Sequence, residues 1–175
     1  KLFMKILRKC ADFYLTVIRG TPMVVQLFVI YYFVFVSTDL SKVAVAMIAF
    51  GINSGAYVGV VLQSGILSVD GGQYEAARSL GLGSKDAMIK VVFPQALKNI
   101  IANLCNEFID LIKETSVAGF IGIVDLSRAG DIIRTQTLDP FVPLLTVALI
   151  YLLIVTLLSM IMDSIERRLR KSDIR

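Results

Sequence analysis

Four predominantly apolar stretches, at residues 22 to 36, 43 to 67, 96 to 123 and 141 to 162, alternate with shorter polar ones along the chain. At a rise of about 1.5 Å per residue, a helix of about 20 residues crosses the hydrocarbon core of a bilayer. The second stretch meets that length with no charge between Lys42 and Asp70, and the last is free of charge from Phe141 to Met162. The first is short, so its helix is expected to extend back toward Tyr14. Pro22 suits a first helical turn, where its missing N–H costs no hydrogen bond. A brief polar corner, 37–42, separates the first two stretches.

Residues 1 to 20 set basic positions against Leu2, Phe3, Ile6, Leu7, Phe13 and Tyr14. That is the pattern of an amphipathic helix at a headgroup boundary, or of a solvated connector. In the second stretch Gly51, Gly55 and Gly59 recur every four residues and line one stripe where another helix can approach closely. Asn53 and Tyr57, with Ser54 beside them, form a neighbouring polar stripe whose groups need partners in lipid and should face protein or a cavity. The third stretch places Asn103, Glu107, Asp110 and Glu114 on one helical face, flanked by Asn106 and Lys113. Ionisable groups in a membrane are costly and usually face a bundle interior or a watery path. A single Lys113 cannot neutralise three carboxylates, which favours the path. Pairing that merely staples helix packing is the alternative.

Between the second and third stretches lies a polar island, residues 70–94. Asp70 with Gln73 three residues on makes a capping-box-like helix start, and Gly81 suits the left-handed residue that ends that helix. Ser84 can cap a second short helix, with Asp86 at the positive end of its dipole. The peptide before Pro94 disfavours α geometry and should stop that helix at Phe93, leaving proline to open the next.

Composition narrows the class. The chain is 56% hydrophobic, with mean hydropathy +0.75 and a formal charge of +4, which indicates a polytopic, all-α membrane protein. It has no His, and Cys10 and Cys105 are its two cysteines, so imidazole catalysis and a Cys/His zinc site are excluded. No metal site, bound cofactor or nucleic-acid partner is expected. Gly81-Leu82-Gly83-Ser84-Lys85 is no phosphate loop, because a Walker sequence needs Gly-Lys-Ser/Thr in succession and Asp86 follows Lys85.

Glu75-Ala76-Ala77, then Gly81, then Val91-Val92-Phe93-Pro94, resembles the EAA loop of ABC-importer permease subunits, with Val91 and Phe93 as conservative departures. Arg19-Gly20-Thr21-Pro22-Met23-Val24-Val25-Gln26-Leu27-Phe28 resembles the opening of a span in the polar-amino-acid branch, and Leu126-x-Arg128-Ala129-Gly130 resembles an outer loop of those permeases. The resemblance implies a type I importer permease fold: one transmembrane domain over residues 1–175, with four spans here, another expected upstream, and a cytoplasmic coupling loop at 70–94. It implies that Glu75, Ala76, Ala77, Gly81 and Pro94 meet an ATPase subunit dimer. ATP and magnesium would be held by that partner, so this chain would not be an enzyme. It further implies a permease homodimer or heterodimer, an extracytoplasmic substrate-binding protein, and a bacterial cytoplasmic membrane location. Many relatives continue Tyr-x-x-Glu-x-x-Arg in the second span. Here Val60 and Gln63 follow Tyr57, so the ion pair available to those relatives is absent.

Orientation follows from the basic residues. With the EAA loop inside, the inner segments hold Lys1, Lys5, Arg8, Lys9, Arg19, Arg78, Lys85, Lys90, Lys98, Arg167, Arg168, Arg170, Lys171 and Arg175, and the outer ones Lys42, Arg128 and Arg134. Import of polar amino acids is the expected function, with Asn53, Ser54, Tyr57, Asn103, Glu107, Asp110, Lys113 and Glu114 as candidate path residues. An importer of another small polar solute, such as an opine or dipeptide, is the near alternative. A channel or electrochemically driven carrier is the distant one.

Overall fold

The computed structural model describes residues 2–170. Lys1, Lys171 and Arg175 of the basic residues above, and the side chain of Arg170, lie outside the described residues. Every regular element described is helical: α1 (Leu2–Gly20), α2 (Met23–Val29), α3 (Lys42–Leu67), α4 (Gly71–Ser79), α5 (Ser84–Ala87), α6 (Phe93–Glu114), α7 (Leu126–Thr137) and α8 (Phe141–Arg170). Wider π turns at Ile30–Val34 and Met88–Val92 extend α2 and join α5 to α6, and a 3-10 segment, Thr115–Ile121, extends α6. Contacts divide the chain into two units. One holds Lys1–Tyr57 with Asp110–Val155, the other Val58–Ile109 with Thr156–Arg175.

In the first unit, Leu27, Ala46, Ala49, Phe50, Ala118 and Ile121 form a buried cluster. Small alanines on α3 let the neighbouring backbones approach, and Leu27 fills the space between them with no exposed surface. Phe28 and Phe120 meet edge to face at 6.1 Å. In the second unit, the alanines Ala77, Ala87 and Ala96 and the branched side chains Val92 and Ile100 are buried, so the polar loop has a compact apolar underside of its own.

Two helices, Lys42–Leu67 and Phe141–Arg168, are long and apolar enough to cross a membrane, and a third span is counted if the pair Leu2–Gly20 and Met23–Val34, bent by 109°, is taken as one. The expected 96–123 span falls short of that test. Lys98, Glu107, Asp110, Lys113 and Glu114 dilute its hydropathy, and its α-helix ends at Glu114, where the 3-10 segment runs on to a left-handed Gly122 at φ 80. The first stretch is expected to extend as a helix toward Tyr14; instead α2 begins at Met23, and the chain turns by 109° into α1, which carries Tyr14. Pro22 lies just outside α2 with extended backbone (φ −65, ψ 141) instead of within its first turn.

Three further local expectations need correction. Asp70 does cap α4, accepting from Gly72 N–H at 2.9 Å, yet the Gln73 side-chain oxygen accepts from Gln95 Nε2 at 3.5 Å instead of closing the box. Gly83, not Ser84, is the cap residue of α5, and the Ser84 hydroxyl bonds to Tyr74 at 2.8 Å. The helix does not stop before Pro94. Proline cannot donate to the residue four before it and its ring crowds that carbonyl; the π turn at Met88–Val92, closed by Phe93 N–H to Met88 O, lets the helix continue through that fault.

Candidate coupling site and charged helix face

Within residues 70–94, α4 ends in a complete backbone cap. Gly81 N–H donates to Arg78 O at 3.0 Å and Leu82 N–H to Ala77 O at 3.2 Å, with Gly81 at φ 87 as the left-handed residue. The Arg78 guanidinium adds a bond to Leu82 O at 2.7 Å. A Cβ at Gly81 would meet nothing within 4 Å, so torsion and not space demands glycine there. The motif residues divide by exposure. Ala77 is buried against its own unit, while Glu75, Ala76 and Pro94 are exposed. Leu80, one residue before the glycine, is 85% exposed. An exposed apolar tip beside a carboxylate, on a short helix fixed from beneath, is a surface fit to enter a cleft of another protein.

On α6, Asn103 and Asp110 are exposed, and Glu107 and Glu114 are half-buried on the same continuous helix. Lys113 pairs with Asp110 one turn earlier. On α3, Asn53 is 2% exposed and Ser54 and Tyr57 are half-buried. The amide of Asn53 donates to Gln26 Oε1 at 3.0 Å, while its own oxygen and the Ser54 hydroxyl have no hydrogen-bond partner among the described residues. Of the glycine stripe, Gly55 is in close contact: a Cβ there would sit 3.1 Å from the Tyr14 hydroxyl, which donates to Ile52 O. Gly51 and Gly59 have nothing within 4 Å of such a position. The tightest approaches are ones the stripe did not indicate, Gly65 against Ile100 and Gly130 against Val147.

Gln26 is a structural residue outside the candidate sites that the motifs indicate. Its amide nitrogen donates to Ile18 O (2.6 Å), Thr21 O (3.0 Å) and Thr21 Oγ1 (2.8 Å), and its oxygen accepts from Asn53. One polar side chain in an otherwise apolar run, four residues after a proline, was the available signal. It closes the α1–α2 corner by satisfying carbonyls that the bend frees.

At Leu126-x-Arg128-Ala129-Gly130, Asp125 caps α7, accepting from Arg128 N–H at 2.9 Å. Gly130 is buried with Val147 at 2.4 Å from a Cβ position, so this motif packs α7 onto α8. Asp131 bonds Arg134 at 2.6 Å and Arg128 at 2.7 Å. The hydrogen bond from Arg134, helped by both guanidinium charges, holds its carboxyl below the usual value. A cavity of about 420 Å³ lies beside it, lined in part by Phe120, Ser127, Arg128 and Asp131.

Comparison with known proteins fits this architecture. The family model described as "Binding-protein-dependent transport system inner membrane component" matches residues 1–171. A putative glutamine transport system permease protein of Rickettsia typhi is 39% identical over 94% of this chain and 76% of its own length. An L-cystine transport system permease protein of Bacillus subtilis is 40% identical, covering 93% of this chain and 70% of its own. An arginine transport system permease protein of the same organism is 36% identical, covering 93% and 75%. Among solved structures, an amino acid ABC transporter with histidines superposes with TM-score 0.87 at 41% identity, over 94% of this chain and 77% of that one. The MetNI methionine ABC transporter, in inward-facing conformations, superposes at 0.74 over 96% and 77%; at 19% identity it speaks for the fold alone. With the family model matched over residues 1–171 and the solved transporter superposed over 94% of its length, the chain belongs to the inner membrane components of binding-protein-dependent transport systems and has the permease fold of ABC transporters.

Proposed function

We propose that this chain is the permease subunit of an ATP-binding-cassette importer that carries polar amino acids across the bacterial cytoplasmic membrane. The observation that carries the coupling role is the exposed tip of α4. Leu80, Ala76 and Glu75 stand outward on a helix whose end is fixed by Gly81 and whose underside is anchored by Ala77. A separate ATPase dimer receives this tip and holds ATP and magnesium. A second permease subunit completes the membrane part, and an extracytoplasmic binding protein delivers the solute. The relatives named for glutamine, cystine and arginine support the substrate class.

The carboxylates of α6 supply partners for a substrate ammonium group, and Lys113 and Asn103 can meet a carboxylate. Ser54, whose hydroxyl has no partner among the described residues, and Tyr57 are the candidates on α3. Asn53 is committed at its amide to Gln26.

The test is uptake of radiolabelled glutamine, arginine and cystine by the full transporter in liposomes, with ATP inside. Gly81→Val should leave the complex assembled and abolish uptake, since a β-branched residue cannot hold the left-handed torsion without strain. Normal uptake by that variant would refute the coupling role. Glu107→Gln at normal assembly should change affinity or preference among the three solutes, and an unchanged profile would remove Glu107 from the path.

A further inference from the structure

The root of the polar loop contains a joint that neither the EAA residues nor the charged face of α6 includes. Near the end of α3, Gly65 is buried, and a Cβ there would lie 2.3 Å from Cγ1 of Ile100, itself 2% exposed on α6. Backbone and side chain are therefore in direct contact, with no room for a methyl group. Three residues later the Ser68 hydroxyl donates to Gly65 O at 2.8 Å and accepts from Asn99 Nδ2 at 2.8 Å. The limb leaving α3 and the limb entering α6 are thus tied twice at one level, by a dry contact and by a hydroxyl that both donates and accepts.

Next to the joint the packing changes character. A cavity of about 610 Å³ is lined by Ser68, Asp70, Gln73, Gln95, Lys98 and Asn99 among others. Across it, Gln95 Nε2 meets Gln73 Oε1 at a stretched 3.5 Å. Gln95 Nε2 also donates to Val91 O at 3.0 Å. A lining of amides and hydroxyls can exchange partners as an adjoining helix moves, because each donor and acceptor has alternatives close by or in water. A close-packed glycine contact has none.

We propose that Gly65, Ser68, Asn99 and Ile100 form the fulcrum on which the coupling helix α4 turns, with the polar cavity as its clearance. Rigid ends and a compliant middle pass a displacement of α4 to α3 and α6 together, where a loop free at both limbs would absorb it. These are positioning residues, and the inference rests on the coupling role proposed above.

The experiment uses the full transporter in liposomes and reads uptake per ATP hydrolysed, alongside the yield of assembled complex. Asn99→Ala and Ser68→Ala should each lower that ratio about threefold to tenfold, the factor expected for one hydrogen bond, at unchanged assembly. Their combination should cost no more than either alone, and Ser68→Thr, which keeps the hydroxyl, should restore the ratio. Gly65→Ala should lower it further, and adding Ile100→Ala should bring it back by opening the space. Wild-type ratios in both Asn99→Ala and Ser68→Ala would overturn the fulcrum while leaving the coupling role standing. A wild-type complex that hydrolyses ATP without any dependence on the α4 tip would overturn both.

Discussion

At the Thr21–Pro22 corner one buried side chain, Gln26, gathers two backbone carbonyls, a hydroxyl and the amide of Asn53; at the Gly81 corner the backbone closes on itself, and the side chains around it are exposed. The first turn is specified by partners, so it is rigid only while every partner is present. The second is closed by backbone bonds about one left-handed torsion, with the Arg78 guanidinium on Leu82 O, and Glu75, Ala76 and Leu80 stay exposed around it. A corner that must hold a fold is built inward from polar groups. A corner proposed to meet another protein keeps Glu75, Ala76 and Leu80 exposed.

The largest break in this contrast should come from Gln26→Leu. It would strand the Ile18 carbonyl and the Asn53 amide in a buried site, and a loss of about 2–4 kcal/mol is expected, read as a lower thermal midpoint and lower yield in detergent. Gly55→Leu comes next. Even its Cβ would crowd the Tyr14 hydroxyl out of its bond to Ile52, for about 1–3 kcal/mol by the same measurement. At the exposed corner, Gly81→Asn should cost less, under about 1 kcal/mol, because asparagine tolerates left-handed torsion; it should also keep uptake where Gly81→Val loses it. The smallest effect belongs to Asp131. Its carboxyl is lowered in the folded chain, chiefly by the bond from Arg134, so its contribution is complete above the unfolded carboxylate value and is lost as pH falls through the lower folded one. Asp131→Asn should flatten the acid limb of the midpoint-versus-pH curve. Because the Asp131 side chain keeps 36% of its surface open to water, added salt should flatten it too.

Much of the fold was legible because hydropathy and punctuation act locally. The uncharged run from Lys42 fixed the limits of α3 almost to the residue, and Gly81 has the positive φ expected of it. The left-handed cap needs no distant partner to be foreseen. What escaped the sequence depends on residues far apart in the chain. Gln26 meets Asn53 at a separation of 27 residues and Asn99 meets Ser68 at 31. Glycine spacing indicated a stripe at Gly51, Gly55 and Gly59, yet the closest approach is at Gly65, because the residue opposite decides whether a missing side chain matters. Proline rules describe α geometry and so predict a stop at Pro94, and the chain avoids that geometry by widening one turn.

That widened turn at Met88–Val92 also acts as an angular setting. A π turn carries one more residue than the α turn it replaces, and one residue corresponds to about 100° around a helix axis. Everything on the α5 side is therefore rotated, relative to α6, away from where an uninterrupted helix would place it. The direction in which the tip of α4 points is written into the chain as a count of residues, set next to a proline that keeps the count from relaxing. Two permeases with the same EAA residues but a turn of different width would present them to different bearings, so the spacing between Gly81 and Pro94 carries information that the identities of the intervening residues do not.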